Sequence, residues 1–243
     1  PVREPWLWTR EQPIDWRQIG DEAALLARRL PDLLIVRCRD RVAGARVALE
    51  QGADCLILDD GFQAVTLERD ENVLVVHGAN PFGNGSLIPR GTLREYPPAA
   101  ARATHLLITH ADRCPDLESL TRTLRQWCPN VPMRLTRHAP LGFERLLGGR
   151  LVPLQAFREV EADALCAIGD SAGFFRLLEQ LGVRLRDTLV LQDHAVMPSV
   201  LPDSGRPLFI TEKDAARLNF RTHSERIYLL RIGLMEYTPE SGL

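Results

Sequence analysis

The sequence predicts an α/β protein built on parallel sheet, and three observations predict it. Apolar runs of strand length recur at Leu33–Val36, Cys55–Leu58, Asn72–Val76 and Thr104–Thr109, the first two joined by a helical stretch over Val42–Gln51. The run Cys55-Leu56-Ile57-Leu58 is apolar throughout, as a strand buried on both faces of a parallel sheet requires, and it ends on Asp59-Asp60-Gly61. A second series with the same rhythm starts at Ala164. At 243 residues the chain has room for one large or two small domains. The spacing predicts a first α/β part over residues 1–136, a β-ribbon linker over 137–160 and a smaller α/β part over 161–243.

Composition narrows the class. Apolar residues make up 45% and charged residues 26%, the profile of a soluble globular chain. A net charge of −2 leaves no electrostatic footprint for nucleic acid. The five cysteines (Cys38, Cys55, Cys114, Cys128, Cys166) show no metal-ligand spacing and read as small buried hydrophobes in a reducing compartment. No apolar run approaches the ~20 residues of a membrane helix, and no signal peptide is visible. The chain starts on Pro1 rather than Met, as a fragment would.

Taken in order, the Trp- and Pro-rich entry Pro1–Gly20 is expected to pack Trp6, Trp8 and Trp16 onto a domain. Asp21 is placed to cap the helix through AALLARRL. Arg37, Arg39 and Arg41 follow the strand Leu33–Val36; at a strand–helix junction they suit an anionic group, or form a solvated basic face. Asp59 and Asp60 repel each other at a strand end, an arrangement that a hard dication such as Mg²⁺ relieves; a polar turn is the alternative. Asn80–Tyr96 carries three glycines, two prolines, Arg90, Arg94 and Glu95, and reads as a long functional loop without the GxGxxG of a dinucleotide site.

Asp116–Trp127 reads as an amphipathic helix and Val131–Thr136 as a strand. Gly148-Gly149 is expected to turn a ribbon between Phe143–Leu147 and Arg150–Leu154. The second series predicts strands at Ala164–Ile168, Thr188–Leu191, Pro207–Ile210 and Arg226–Ile232, and helices at Gly173–Leu181 and Glu212–Leu218. Its strand ends carry Asp170-Ser171, Asp193-His194 and Thr211-Glu212-Lys213-Asp214. Thr211 with Asp214 is a capping-box-like signature. An imidazole beyond a strand end, as at His194, is apt for orienting a carboxylate or sharing its proton. Lys213 is the only lysine. The tail Glu236–Leu243 is expected to be disordered.

These strings, in this order and spacing, resemble the tetraacyldisaccharide 4′-kinase family, which phosphorylates the lipid A precursor disaccharide in Gram-negative bacteria. The segments are Gly20-Asp21-Glu22, Leu58-Asp59-Asp60-Gly61-Phe62-Gln63, Leu67-Glu68-Arg69-Asp70, Phe82-Gly83-Asn84-Gly85, Leu93-Arg94-Glu95, Gly169 to Phe175, Asp193-His194 and Thr211-Glu212-Lys213-Asp214. The resemblance implies a P-loop kinase fold, with residues 1–136 as an incomplete nucleotide-binding core. It implies ATP and Mg²⁺ as cofactors and transfer of the γ-phosphoryl group to a sugar hydroxyl, chemistry that depends on positioning and charge neutralisation. Asp59 and Asp60 match the acidic pair near Mg²⁺, Asp21 the catalytic base and His194 its paired histidine. Arg41 and Arg94, with Glu95 beside them, match phosphate contacts. The implied partner is a lipid disaccharide, at the cytoplasmic face of the inner membrane.

The chain departs from the family pattern in places. No Walker A string GxxxxGK[ST] occurs, so its phosphate-cradling amides and lysine are missing. The membrane-associating N-terminal helix is missing too. The expectation is therefore an N-terminally truncated chain, soluble and inactive alone. Ala64, His77 and Arg90-Gly91-Thr92 also depart from the pattern on the acceptor side. Two other classes compete: a metal-dependent glycosyltransferase using Asp59 and Asp60, and a non-catalytic binding remnant.

Overall fold

The computed structural model describes residues 4–192, 201, 204–218 and 225–239. In chain order its elements begin with β1 (Trp6–Trp8), α1 (Trp16–Ile19), α2 (Asp21–Arg29), β2 (Ile35–Arg37), α3 (Arg41–Glu50), β3 (Val73–His77) and β4 (His105–Thr109). Then come α4 (Leu117–Trp127), β5 (Met133–Arg145), β6 (Leu151–Val152), β7 (Glu161–Cys166), α5 (Ser171–Gln180), β8 (Arg184–Val190), β9 (Leu208–Thr211), α6 (Glu212–Arg217) and β10 (Ile227–Glu236). The chain divides into two compact units, Pro1–Leu56 with Pro140–Ile232, and Ile57–Ala139 with Gly233–Leu243. The division falls inside β5 and β10, which contribute residues to both.

In the first unit β10, β9, β7 and β8 form a parallel sheet in that order. β7 lies between two neighbours, and Ala162, Ala164, Leu165 and Cys166 are buried, as a continuously apolar run demands. Phe143, Phe157, Phe209 and Tyr228 pack one face in edge and tilted contacts, the closest with centroids 4.6 Å apart. The expected ribbon is present: Phe143 pairs with Val152 and Glu144 with Leu151, antiparallel. Burial, then the Asp214 charge, pushes the Cys166 thiol up to about 11, so it behaves as a hydrophobe. Trp8 is buried and Trp6 and Trp16 pack beside it, which satisfies the packing expected of the entry segment.

The second unit has β3, β4 and β5 side by side and parallel. Leu106 and Ile108 pack on Leu120 and Leu124 of α4, whose start Asp116 caps by accepting the Ser119 N–H at 2.8 Å.

Four expectations are corrected. Cys55–Leu58 is not a strand; it has no paired strand among the described residues, and Ile57 is 89% exposed. Cys55 is exposed for the same reason. The strand at Leu33–Val36 is β2, which pairs antiparallel with β1 rather than joining a parallel layer, because the tryptophan segment supplies its partner. The tail expected to be disordered from Glu236 is held at its start: the Tyr237 N–H donates to the Leu135 carbonyl while Glu236 pairs with Arg134.

Three histidines meet at one side of this sheet: His77 at the end of β3, His110 just after β4 and His138 within β5. His77 stacks on His110 (centroids 4.5 Å), and His138 Nδ1 lies 2.8 Å from His110 Nε2, so one ring donates to the other. Burial, then positive neighbours, holds His110 and His138 below the ordinary histidine range. A depressed histidine binds its proton less readily folded than unfolded. Stability is therefore full above about pH 6.5 and falls as pH drops from there through the folded values. His110→Asn, which suits the left-handed backbone there (φ 50°), is expected to flatten that acid-side loss. Urea midpoints at pH 7.5 and 5.5 check it; an unchanged difference between them counts against the cluster.

Candidate active site

Asp21 is the first residue of α2. Gly20 before it has φ 90°, a left-handed value suited to glycine, and is itself the cap position without a side-chain bond. The expected capping role is thus displaced by one residue: Asp21 Oδ1 accepts the Glu22 N–H at 3.1 Å. A carboxylate in the first turn also sits at the positive end of the helix dipole. Its Oδ2 lies 3.3 Å from Lys213 Nζ on α6, with the two side chains 14% and 28% exposed. Arg41 opens α3, where Asp40 caps by accepting the Val42 and Ala43 N–H groups, and Arg41 donates to the Cys38 carbonyl. A cleft of about 210 Å³ beside α2 is lined by Arg28, Arg29, Glu144, Glu212 and Arg231. Glu212 pairs there with Arg29 and Arg231, and Glu144 with Arg231, so the charged lining is largely paired within itself.

In the second unit Asp60 of the acidic pair meets the arginine loop. Asp60 stands at φ 51° and accepts from Arg94 Nη1 at 2.5 Å, both side chains more than half exposed. Glu95 accepts from Gln63 Nε2 at 2.8 Å and from Arg102 Nη2 at 2.8 Å, while Arg102 lies over the Phe62 ring at 4.8 Å. Burial pushes the Glu95 carboxyl up, but the Gln63 and Arg102 hydrogen bonds outweigh it and hold it below the usual range. Two clasps, Asp60–Arg94 and Gln63–Glu95, thus join the two loops. Among the described residues no group of three or more His, Cys, Asp or Glu is arranged to hold a metal ion. Two adjacent carboxylates do suit Mg²⁺, which takes one or two of them and completes its shell with water and phosphate oxygens.

The loop that carries Arg94 is folded on itself. Asn84 Oδ1 accepts the Ser86 N–H at 3.1 Å and its Nδ2 donates to the Arg90 carbonyl at 3.0 Å; Ile88 N–H donates to Leu93 and Leu93 N–H to Ser86. A Cβ on Gly91 would stand 2.0 Å from Asn84 Oδ1 and 2.2 Å from the Ser86 carbonyl oxygen, so only glycine fits. Gly91→Ala is expected to open this fold at a cost of about 1–3 kcal/mol, with faster hydrogen exchange at the Ile88 and Leu93 amides. Unchanged exchange there would count against this account.

The sequence profile described as tetraacyldisaccharide-1-P 4′-kinase matches residues 2–241. The chain belongs to this family. A tetraacyldisaccharide 4′-kinase of Anaeromyxobacter dehalogenans (strain 2CP-C) is 41% identical over 217 residues, covering 83% of this chain and 56% of that protein. Another, from Pelobacter propionicus, is 35% identical over 234 residues, covering 91% and 63%. The chain thus spans little more than half the length of such relatives. Among solved structures, LpxK from Aquifex aeolicus, crystallised in complex with ATP, superposes with a TM-score of 0.80 at 25% identity, covering 97% of this chain and 71% of that one. This likeness shows the expected α/β, P-loop-kinase-like class. The glycosyltransferase alternative gains nothing from these matches.

Within the tetraacyldisaccharide 4′-kinase pattern, Asp21 and Arg41 lie in the first unit and Asp59, Asp60, Arg94 and Glu95 in the second. His194 lies outside the described residues. Sequence reasoning missed Lys213, Gln63 and Arg102 as partners. The signal for Lys213 was its being the sole lysine, in a string read for the family resemblance and for the Thr211 cap but not for a lysine role; the cap is present, Thr211 Oγ1 accepting the Asp214 N–H at 3.1 Å.

Proposed function

We propose that the protein carrying this chain transfers the γ-phosphoryl group of ATP to the 4′-hydroxyl of a tetraacyldisaccharide 1-phosphate. The family match over residues 2–241 carries the reading. In this proposal Asp21 accepts the proton of the acceptor hydroxyl as its oxygen bonds to phosphorus, and the bond from that phosphorus to the bridging oxygen breaks, releasing ADP. His194 pairs with Asp21. Asp59 and Asp60 hold Mg²⁺, which supplies neutralisation of phosphate charge. Arg41 and Arg94 hold phosphate oxygens, and Glu95 braces the Arg94 loop through Gln63 and Arg102. The Asp60–Arg94 pair supports this role: a carboxylate that would suit Mg²⁺ and a guanidinium that would suit phosphate oxygens stand side by side. Within this proposal the acyl chains favour work at a membrane surface, and the family resemblance makes it the cytoplasmic face of the inner membrane, with the protein peripheral.

The test is transfer of label from γ-³²P-ATP to tetraacyldisaccharide 1-phosphate in detergent micelles by the protein that carries this chain. Labelled lipid that requires both Mg²⁺ and the 4′-hydroxyl is expected. Hydrolysis of ATP without lipid labelling would refute the reading.

A further inference from the structure

We infer that Lys213 is a positioning residue for the Asp21 carboxylate, fixing its orientation and holding it ionised as the proton acceptor. This rests on the base role proposed for Asp21. The placement follows from helix register. Asp21, Ala24 and Ala27 recur every three residues along α2 and so share one face. Lys213 and Ala216 share a face of α6 in the same way. Ala24, Ala27 and Ala216 are buried together in one cluster, so small side chains let the two helices approach closely. The register that brings those alanines together brings Lys213 Nζ to 3.3 Å from Asp21 Oδ2.

Residue type adds a second line. The chain holds 30 Lys and Arg residues, and its single lysine stands here. An arginine fork would take both carboxylate oxygens at once, whereas an ammonium is a compact charge that binds one. With Oδ1 held by the Glu22 N–H and Oδ2 by Lys213, the carboxylate is fixed from two sides. An exposed ion pair would contribute little, but this one is largely shielded on both sides. Of the other charged groups on α2 and α6, Arg28 faces Glu144, Arg29 pairs with Glu212, Arg217 with Asp214, and Glu212 also with Arg231, while Glu22 stands next to Asp21 with its own carboxylate.

The test uses the protein that carries this chain, with Lys213→Met, Lys213→Arg, Asp21→Asn and the Asp21→Asn/Lys213→Met double variant. Lys213→Met is expected to lower kcat at pH 7 by about tenfold or more, to leave KM for ATP nearly unchanged and to move the acid limb of the kcat profile to higher pH by about 1–3 pH units, because a cation that favoured the ionised carboxylate is gone. Lys213→Arg keeps the charge and is expected to leave that limb in place. In the double variant, loss of Lys213 is expected to add nothing to loss of Asp21. An unmoved acid limb in Lys213→Met, additive losses in the double variant, or a rise in KM for ATP instead of a fall in kcat would overturn the inference, the last pointing to a phosphate contact. Near-normal turnover in Asp21→Asn is a different failure, that of the base role itself. The double-variant comparison holds even where Lys213→Met loses some stability.

Discussion

Arg217→Ala is expected to destabilise the fold by about 3–5 kcal/mol, because it strands a buried carboxylate. The side chains of Arg217 and Asp214 are both fully buried, 2.6 Å apart, one turn from each other on α6. Asp214 also accepts the Ala167 N–H at 3.2 Å and the Thr211 hydroxyl at 2.6 Å, and Arg217 donates to the Ala167 carbonyl at 2.8 Å. The pair therefore ties α6 to the backbone just beyond β7 and satisfies the buried Ala167 N–H and carbonyl. Against a total stability of about 5–15 kcal/mol for an ordinary domain, the expected loss is a large share. Replacing both partners by Leu and Met should cost less than Arg217→Ala alone, since no charge is then left buried and unpaired. Urea denaturation of the three proteins decides it. A loss under about 1 kcal/mol for Arg217→Ala, the size typical of an exposed pair, would mean that water reaches Asp214.

The same tie shows which parts of the molecule were legible in the sequence. β7, β9 and α6 were readable because burial on both faces writes a continuous apolar run, and because Thr211-x-x-Asp214 writes a cap. Cys55–Leu58 carries the same kind of run and forms no strand, since a run reports the capacity for burial and not the presence of neighbours to supply it. β5 was read as two pieces, Val131–Thr136 and the ribbon strand Phe143–Leu147, and not as one continuous strand. Its later half contains Pro140 and Gly142, which break the pattern, yet it pairs with β6 as the Gly148-Gly149 turn foretold.

The candidate site divides along similar lines. Asp59, Asp60, Arg94 and Glu95 were visible as residues, while the clasps between them join positions more than thirty residues apart and exist only in the fold. Lys213 was missed for the same reason: no local pattern around Thr211 points to α2, and the register of buried alanines on two helices becomes readable only once both are placed.

In the protein that carries this chain, and on the base role proposed for Asp21, Asp21→Asn is the change expected to affect turnover most, by about 10²–10⁴-fold in kcat, the usual worth of a general base. Asparagine keeps the size of the side chain, suits the first turn of α2 and can still accept the Glu22 N–H through its amide oxygen. What it loses is the charge and the capacity to take a proton. If Asp21 acts on the acceptor hydroxyl, ATP binding is untouched and KM for ATP stays close to its original value, so the whole loss lies in kcat. If Asp21 instead serves only to seat α2 against α6 through Lys213, the isosteric change costs stability and leaves turnover within a few-fold. The two roles also part with pH. The wild-type rate rises as the carboxylate ionises, and the Asn variant keeps only a residual rate without that limb. Steady-state kinetics across pH 5–9, with thermal midpoints measured on the same preparations, separate a missing proton acceptor from a loosened helix pair. A variant with normal kcat and a lowered midpoint would leave Asp21 as a structural residue.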